Sequence, residues 1–133
     1  MNDRTVSKAA LVLRWLPAAA WMGVIFRLSA IPGSQIPGKY GTLAHFVSYS
    51  ILGALLTVPL AYGRSRGETV ALAVVFASLY AITDEFHQSF VPLRTPDIAD
   101  WGVDTLGAFF GAFALTWLAE LARRRTADAE KPQ

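Results

Sequence analysis

No cysteine occurs among the 133 residues, so neither a disulfide framework nor a thiolate metal site is available, and the redox compartment leaves no mark. Histidine is scarce as well, with two copies, and neither belongs to an HExxH motif. A glycine-rich phosphate loop, a nucleophile elbow and a dinucleotide fingerprint are all missing. Charge is thin: 17% of the residues are Asp, Glu, Lys or Arg, against 53% hydrophobic, and the mean hydropathy is +0.37. What the apolar runs lack most tellingly is a polar face, which a water-soluble helical bundle needs on every helix.

Four apolar runs make up most of what is present: Leu11 to Phe26, Phe46 to Gly63, Thr69 to Thr83 and Thr105 to Ala122. Each is slightly shorter than the roughly 20 residues that span a bilayer comfortably. Extension into the polar flanks, with arginines snorkelling, closes that gap. The expectation is an all-α, membrane-embedded bundle of four transmembrane helices. It divides the chain into an N-terminal segment (1–10), a membrane domain (11–122) and a charged tail (123–133) expected to be disordered. The first run carries small residues suited to a signal-peptide cleavage site. Arg14 and Pro17 interrupt it, so a retained helix is expected instead.

Lysine and arginine counts orient the bundle. Arg4, Lys8, Arg14, Arg64, Arg66, Arg123, Arg124, Arg125 and Lys131 fall on one side, and Arg27, Lys39 and Arg94 on the other. Nine against three predicts a multi-pass cell-membrane protein with both termini cytoplasmic. The pI near 9.2 does not point to nucleic acid, because these cations sit at run ends rather than on an aromatic-interleaved patch.

The outer side then holds an oddity. In "TDEFHQSFVPLRTPDIADWGVDTLGAFFGA", Asp84, Glu85, Asp97, Asp100 and Asp104 gather half of the ten acidic residues into 21 positions. At about 100° per residue, Tyr80, Asp84, His87 and Gln88 share a helix face if the third helix runs a turn past Asp84. Asp100, Asp104, Gly107 and Gly111 line a stripe on the fourth helix, and His45 and Tyr49 stack on the second. Asp100 also fits a helix cap. The two glycines form a GxxxG pattern, which admits a neighbouring backbone and offers a face to a homo-oligomer.

Asp104 and His45 each lie about 28 Å of helix from the basic end of their run, near the outer boundary of a core roughly 30 Å thick. Asp84 lies only about 24 Å from Glu68, hence deeper, and at a helix C-terminus that disfavours anions. It therefore needs a proton or a compensating cation, with Arg94 the nearest and Arg27, His45 or a metal the alternatives. Two histidines among carboxylates suit Zn²⁺ or a harder cation, but the spacing assigns no ligand set. Ionisable groups at such depth are costly and usually functional.

"FRLSAIPGSQIP" (Phe26 to Pro37), "HFVSYSILGALL" (His45 to Leu56), "DEFHQSFVPLR" (Asp84 to Arg94) and "DWGVDTLGAFFGA" (Asp100 to Ala112) are similar, in order and spacing, to the motifs of the VanZ-like family of small bacterial membrane proteins. The resemblance covers roughly residues 11 to 121. It carries onto His45, Tyr49, Asp84, Glu85, Gln88, Arg94, Asp100, Asp104 and Gly107. Two positions depart from the family pattern: Thr42 stands where a lysine is frequent, with Lys39 out of register, and Leu93 replaces a glycine common before the arginine. One member is associated with resistance to teicoplanin, which implies a role at the bacterial envelope without supplying a reaction.

The leading expectation is a polar pocket at the outer leaflet that acts on or binds an envelope lipid or lipid-linked cell-wall precursor. Asp84, Glu85 and His45 are the candidates for proton transfer or relay. Arg94 is the candidate grip on an anionic headgroup, with Gln88, Tyr49, Asp100 and Asp104 as further binding candidates. No reaction, cofactor or metal follows from the sequence. The contrasting expectation is a non-enzymatic binding or assembly module whose charged cluster locks helices together. Transport needs a polar route, and the inner halves of the four runs are almost wholly apolar.

Overall fold

A computed structural model of the chain describes residues 7–35 and 38–129, the side chains of 38–40 excepted. Arg4, Lys131, the end of the first family-like motif at Ile36 and Pro37, and the Lys39 side chain lie outside the described residues. The helices are α1 (Lys8–Leu13), α2 (Leu16–Ser29), α3 (Gly38–Leu60), α4 (Arg66–Gln88) and α5 (Ile98–Ala129), with a 3₁₀ turn at Gly33–Gln35. No strand forms among the described residues. Four segments are long and apolar enough to cross a membrane: Lys8–Ser29, Gly41–Leu60, Arg66–Gln88 and Ile98–Ala129.

The first segment is two helices because of Pro17. A proline offers no N–H and its ring crowds the carbonyl four residues earlier, here that of Leu13. The chain turns at Arg14 and Trp15, where the Trp15 amide reaches back to Val12, and α2 restarts with Pro17 in its first turn.

The other helices do extend beyond their apolar runs. Ser65 opens α4 with a capping box: its hydroxyl accepts from the Glu68 amide while the Glu68 carboxylate accepts from the Ser65 amide. Asp97, not Asp100, caps α5, its carboxylate accepting from the Ala99 amide at 2.8 Å. Both acids suit a cap chemically, but only Asp97 directly precedes the first helical residue. The tail also departs from expectation. Instead of becoming disordered at residue 123, α5 runs through the three arginines to Ala129. Strong helix formers and an Arg124–Glu120 pair at 2.9 Å carry it on.

Packing follows the logic of helices in lipid, where small residues let backbones approach. The largest interface joins α3 and α5. A side chain on Gly107 would strike the Phe46 carbonyl, and one on Gly111 the Ser50 carbonyl. The GxxxG stripe is thus filled by α3 of the same chain rather than left open to a second copy. On α4, Ala73, Ala77 and Ala81 recur every fourth residue and are fully buried. Large apolar side chains such as Leu79, Phe86, Phe110 and Leu118 point outward, which suits a lipid surroundings.

Candidate functional site

The polar residues collect at the ends of α3, α4 and α5 remote from Arg64 and Arg123. Helix α4 runs past Asp84 to Gln88, which turns both inward; each is buried. Their α4 neighbours of the predicted shared face go elsewhere. The Tyr80 hydroxyl donates to the Met22 carbonyl at 2.7 Å, and the His87 ring stacks on Phe26 with centroids 4.1 Å apart. The broad polar face is divided: Asp84 and Gln88 serve the interior, while Tyr80 and His87 hold α2.

The 89–97 connection places Arg94. Leu93 adopts φ +59°, a left-handed conformation costly for a branched side chain. Its backbone lies against Gly33, where any Cβ would collide, and the Gly33 amide donates to Pro92 at 3.1 Å. This docking lets Arg94 donate through Nε to the Ile31 carbonyl at 3.2 Å and through Nη1 to Gln88 Oε1 at 3.4 Å. Gln88 Nε2 in turn donates to Asp84 Oδ2 at 3.2 Å, and the Tyr49 hydroxyl donates to the same oxygen at 3.4 Å. Arg94, the nearest of the candidate cations for Asp84, therefore reaches it through Gln88 and not by a direct ion pair. Ten residues of helix end and loop set the guanidinium beside the amide, one step short of the carboxylate.

A second group lies beside this chain. His45 Nδ1 meets Asp104 Oδ1 at 3.0 Å, while Glu85 Oε2 accepts from the Asp97 amide at 2.9 Å. Donor atoms of His45, Glu85 and Asp104 lie within 4.8 Å of one another. Asp104 is fully buried and Asp84 nearly so. Among the described residues Asp84 Oδ1, Glu85 Oε1 and Asp104 Oδ2 accept no hydrogen bond. Asp100 stands one turn before Asp104, half-buried.

His45, Tyr49, Asp84 and Arg94 border one cavity of about 200 Å³, whose other walls include Ile25, Leu28 and Ile31. Ser29 and Ser48 also border it. Sequence reasoning passed over both, although Ser48 falls between His45 and Tyr49 at helical spacing and so shares their face. A larger crevice of about 330 Å³ lies along Ile82, Glu85, Pro96, Asp97, Ile98 and Trp101. Its walls are chiefly apolar and it holds no cation, so the smaller cavity carries more chemistry. That cavity offers guanidinium and phenol donors, carboxylate acceptors and an imidazole over an apolar wall. Such a set can bind an anion and exchange a proton with it.

The family model described as VanZ/LLP1 matches residues 3–119. No curated protein and no solved structure matches the chain at a significant level.

Proposed function

This chain belongs to the VanZ/LLP1 family, and from that premise we propose that it binds the anionic headgroup of an envelope lipid or lipid-linked cell-wall precursor at the outer leaflet. The observation that carries the reading is the single cavity bordered by His45, Tyr49, Asp84 and Arg94. At about 200 Å³ it is below the roughly 300–1,000 Å³ of sites that enclose a whole drug-sized ligand. It suits a compact headgroup, such as a phosphate, while the acyl or prenyl chain passes the exposed Leu28 into the bilayer. Arg94 grips the headgroup through its guanidinium, with Gln88 and Tyr49 holding Asp84 in place. Asp84, which borders the cavity, serves as the proton-transfer group, and His45 orients the headgroup from the α3 side; Glu85 faces the other crevice.

Native mass spectrometry of the purified protein tests this, comparing a polyprenyl phosphate, a lipid-linked cell-wall precursor, phosphatidylglycerol and a zwitterionic lipid. The phosphorylated envelope lipids are expected to be retained in preference to the zwitterionic lipid. Arg94→Ala is expected to weaken them roughly ten- to a hundredfold, the worth of a charge-assisted hydrogen bond. Equal retention of all four lipids, or an unchanged profile in a folded Arg94→Ala protein, defeats the reading.

One observation favours the assembly alternative: the His45–Asp104 contact ties α3 directly to α5 at a fully buried carboxylate. That alternative expects substitutions at Asp84, Glu85 and Arg94 to lower the amount of folded protein in the membrane. The binding reading expects folded protein with an altered lipid profile.

A further inference from the structure

The geometry points to a divalent-cation site in which His45, Glu85 and Asp104 hold one first-row ion of the zinc or manganese class. Three helices supply the three ligands: His45 from α3, Glu85 from α4 and Asp104 from α5. The inference shares His45 with the lipid reading, but its readout is bound metal rather than retained lipid, so either can fail without the other.

Distance is the first support. A tetrahedral ion with bonds of roughly 2.0–2.2 Å sets its donor atoms roughly 3.3–3.5 Å apart. An octahedral ion with similar bonds sets them roughly 3.0 Å apart in cis and 4.2 Å in trans. Here His45 Nδ1 and Asp104 Oδ1 are 3.0 Å apart, and all three donors fall within 4.8 Å. Rotamer adjustments well under a side-chain length close the remainder.

Unmatched acceptors are the second support, and they are independent of the spacing. Asp104 is fully buried, yet its Oδ2 accepts nothing among the described residues; the same holds for Glu85 Oε1. Buried acceptors almost always find a partner, and buried charges are paired or bind metals. Two carboxylates face one imidazole here, so the His45 contact can neutralise only one of them. A divalent ion satisfies both orphaned oxygens and the surplus charge in one step.

The ligand types select the ion. Imidazole beside carboxylates suits zinc, iron or manganese better than calcium, and the absence of thiolate disfavours soft ions such as Cu(I). Three protein ligands leave at least one coordination position free, the arrangement of a reactive rather than a purely structural ion.

The experiment uses the full chain, purified in detergent with any affinity tag removed, stripped with chelator and titrated with Zn²⁺, Mn²⁺, Mg²⁺ or Ca²⁺. Bound metal is read by elemental analysis and by the metal-dependent rise in thermal midpoint. About one equivalent of Zn²⁺ or Mn²⁺ per chain is expected, as for a three-ligand site. Glu85→Gln and Asp104→Asn are expected to weaken binding at least about tenfold, and His87→Ala not at all. No binding by the wild type, preference for Mg²⁺ or Ca²⁺, or unchanged binding in folded Glu85→Gln and Asp104→Asn proteins overturns the site. Where those variants fail to fold, X-ray absorption of the zinc-loaded wild type decides. One imidazole among oxygen ligands supports the site; none, or two, refutes it.

Discussion

His45 Nδ1 and Asp104 Oδ1 meet at 3.0 Å across the α3–α5 interface, with Asp104 wholly removed from solvent. The contact lies beside Gly107, which α5 presents to the Phe46 carbonyl. Close backbone approach and a polar pair thus act together at one level of the bundle: the glycine permits the proximity, and the pair fixes the register.

Breaking this pair one partner at a time should be costly, because each deletion leaves the other group buried and unmatched. Losing one partner of a buried pair costs about 3–5 kcal/mol. Asp104→Ala and His45→Ala are each expected to lower the thermal midpoint in detergent, and the double variant to lose less than their sum by over about 1 kcal/mol. A double-mutant cycle measures this directly. Effects that add within about 0.5 kcal/mol mean that the two groups are uncoupled.

Gly111→Leu should be costly as well. Its side chain would enter the space of the Ser50 carbonyl, and backbone cannot yield as a flexible side chain does. Overpacking of this kind costs about 3 kcal/mol or more. Loss of folded protein from the membrane is expected, read by fluorescence-detected size exclusion. If Gly111→Leu instead gave a folded monomer where the wild type is a dimer, the stripe would be serving a second copy and not α3.

The extent of what residues alone disclosed follows from these particulars. The four spans were legible because lipid-facing helices need no polar face, and Pro17 announced its own break. His45, Tyr49, Asp84, Gln88 and Asp104 could be marked because helical spacing stacks them toward one end. Partners could not be assigned. His45 and Asp104 are 59 positions apart, and no local pattern distinguishes that pairing from His45 with Asp84 or Glu85. Arg94 was placed near Asp84 by sequence proximity, but the turn at Leu93 aims it at Gln88 and Ile31. The cap at Asp97 and the helical tail were missed for a related reason. Cap preference is common to several acids, and a charged segment is helical or not according to the helix that leads into it.

Leu93 offers a stabilising change. It holds φ +59° with its side chain 80% exposed, so the conformation costs energy while burying almost nothing. The left-handed region costs a non-glycine residue about 1–2 kcal/mol, and glycine returns about 0.5–1 kcal/mol of that as chain entropy. Leu93→Gly is therefore expected to raise the thermal midpoint modestly, by a net gain of about 0.5–1 kcal/mol. Leu93→Val, β-branched and worse suited to positive φ, should lower it. A midpoint that falls with glycine means that the exposed leucine makes a stabilising contact of its own, such as with lipid.

The absence of cysteine makes membrane orientation directly measurable, because any single introduced cysteine is the only thiol present. The positive-inside count puts the 89–97 connection outside and the 61–65 connection in the cytoplasm. Leu93→Cys, in the first of these and largely exposed, is expected to react with a membrane-impermeant maleimide in intact cells. Gly63→Cys lies in the second but at φ +69°, so the exposed Tyr62→Cys beside it is the better probe; it should react only after permeabilisation. The opposite pattern would invert the bundle and put His45, Asp84 and Arg94 at the cytoplasmic leaflet. Their cavity would then meet cytoplasmic anions rather than outer-leaflet headgroups. The same side chains would keep their contacts, since no hydrogen bond among them depends on which aqueous phase lies above. Only the ligand pool would change, so this labelling decides between two sources for one anion site.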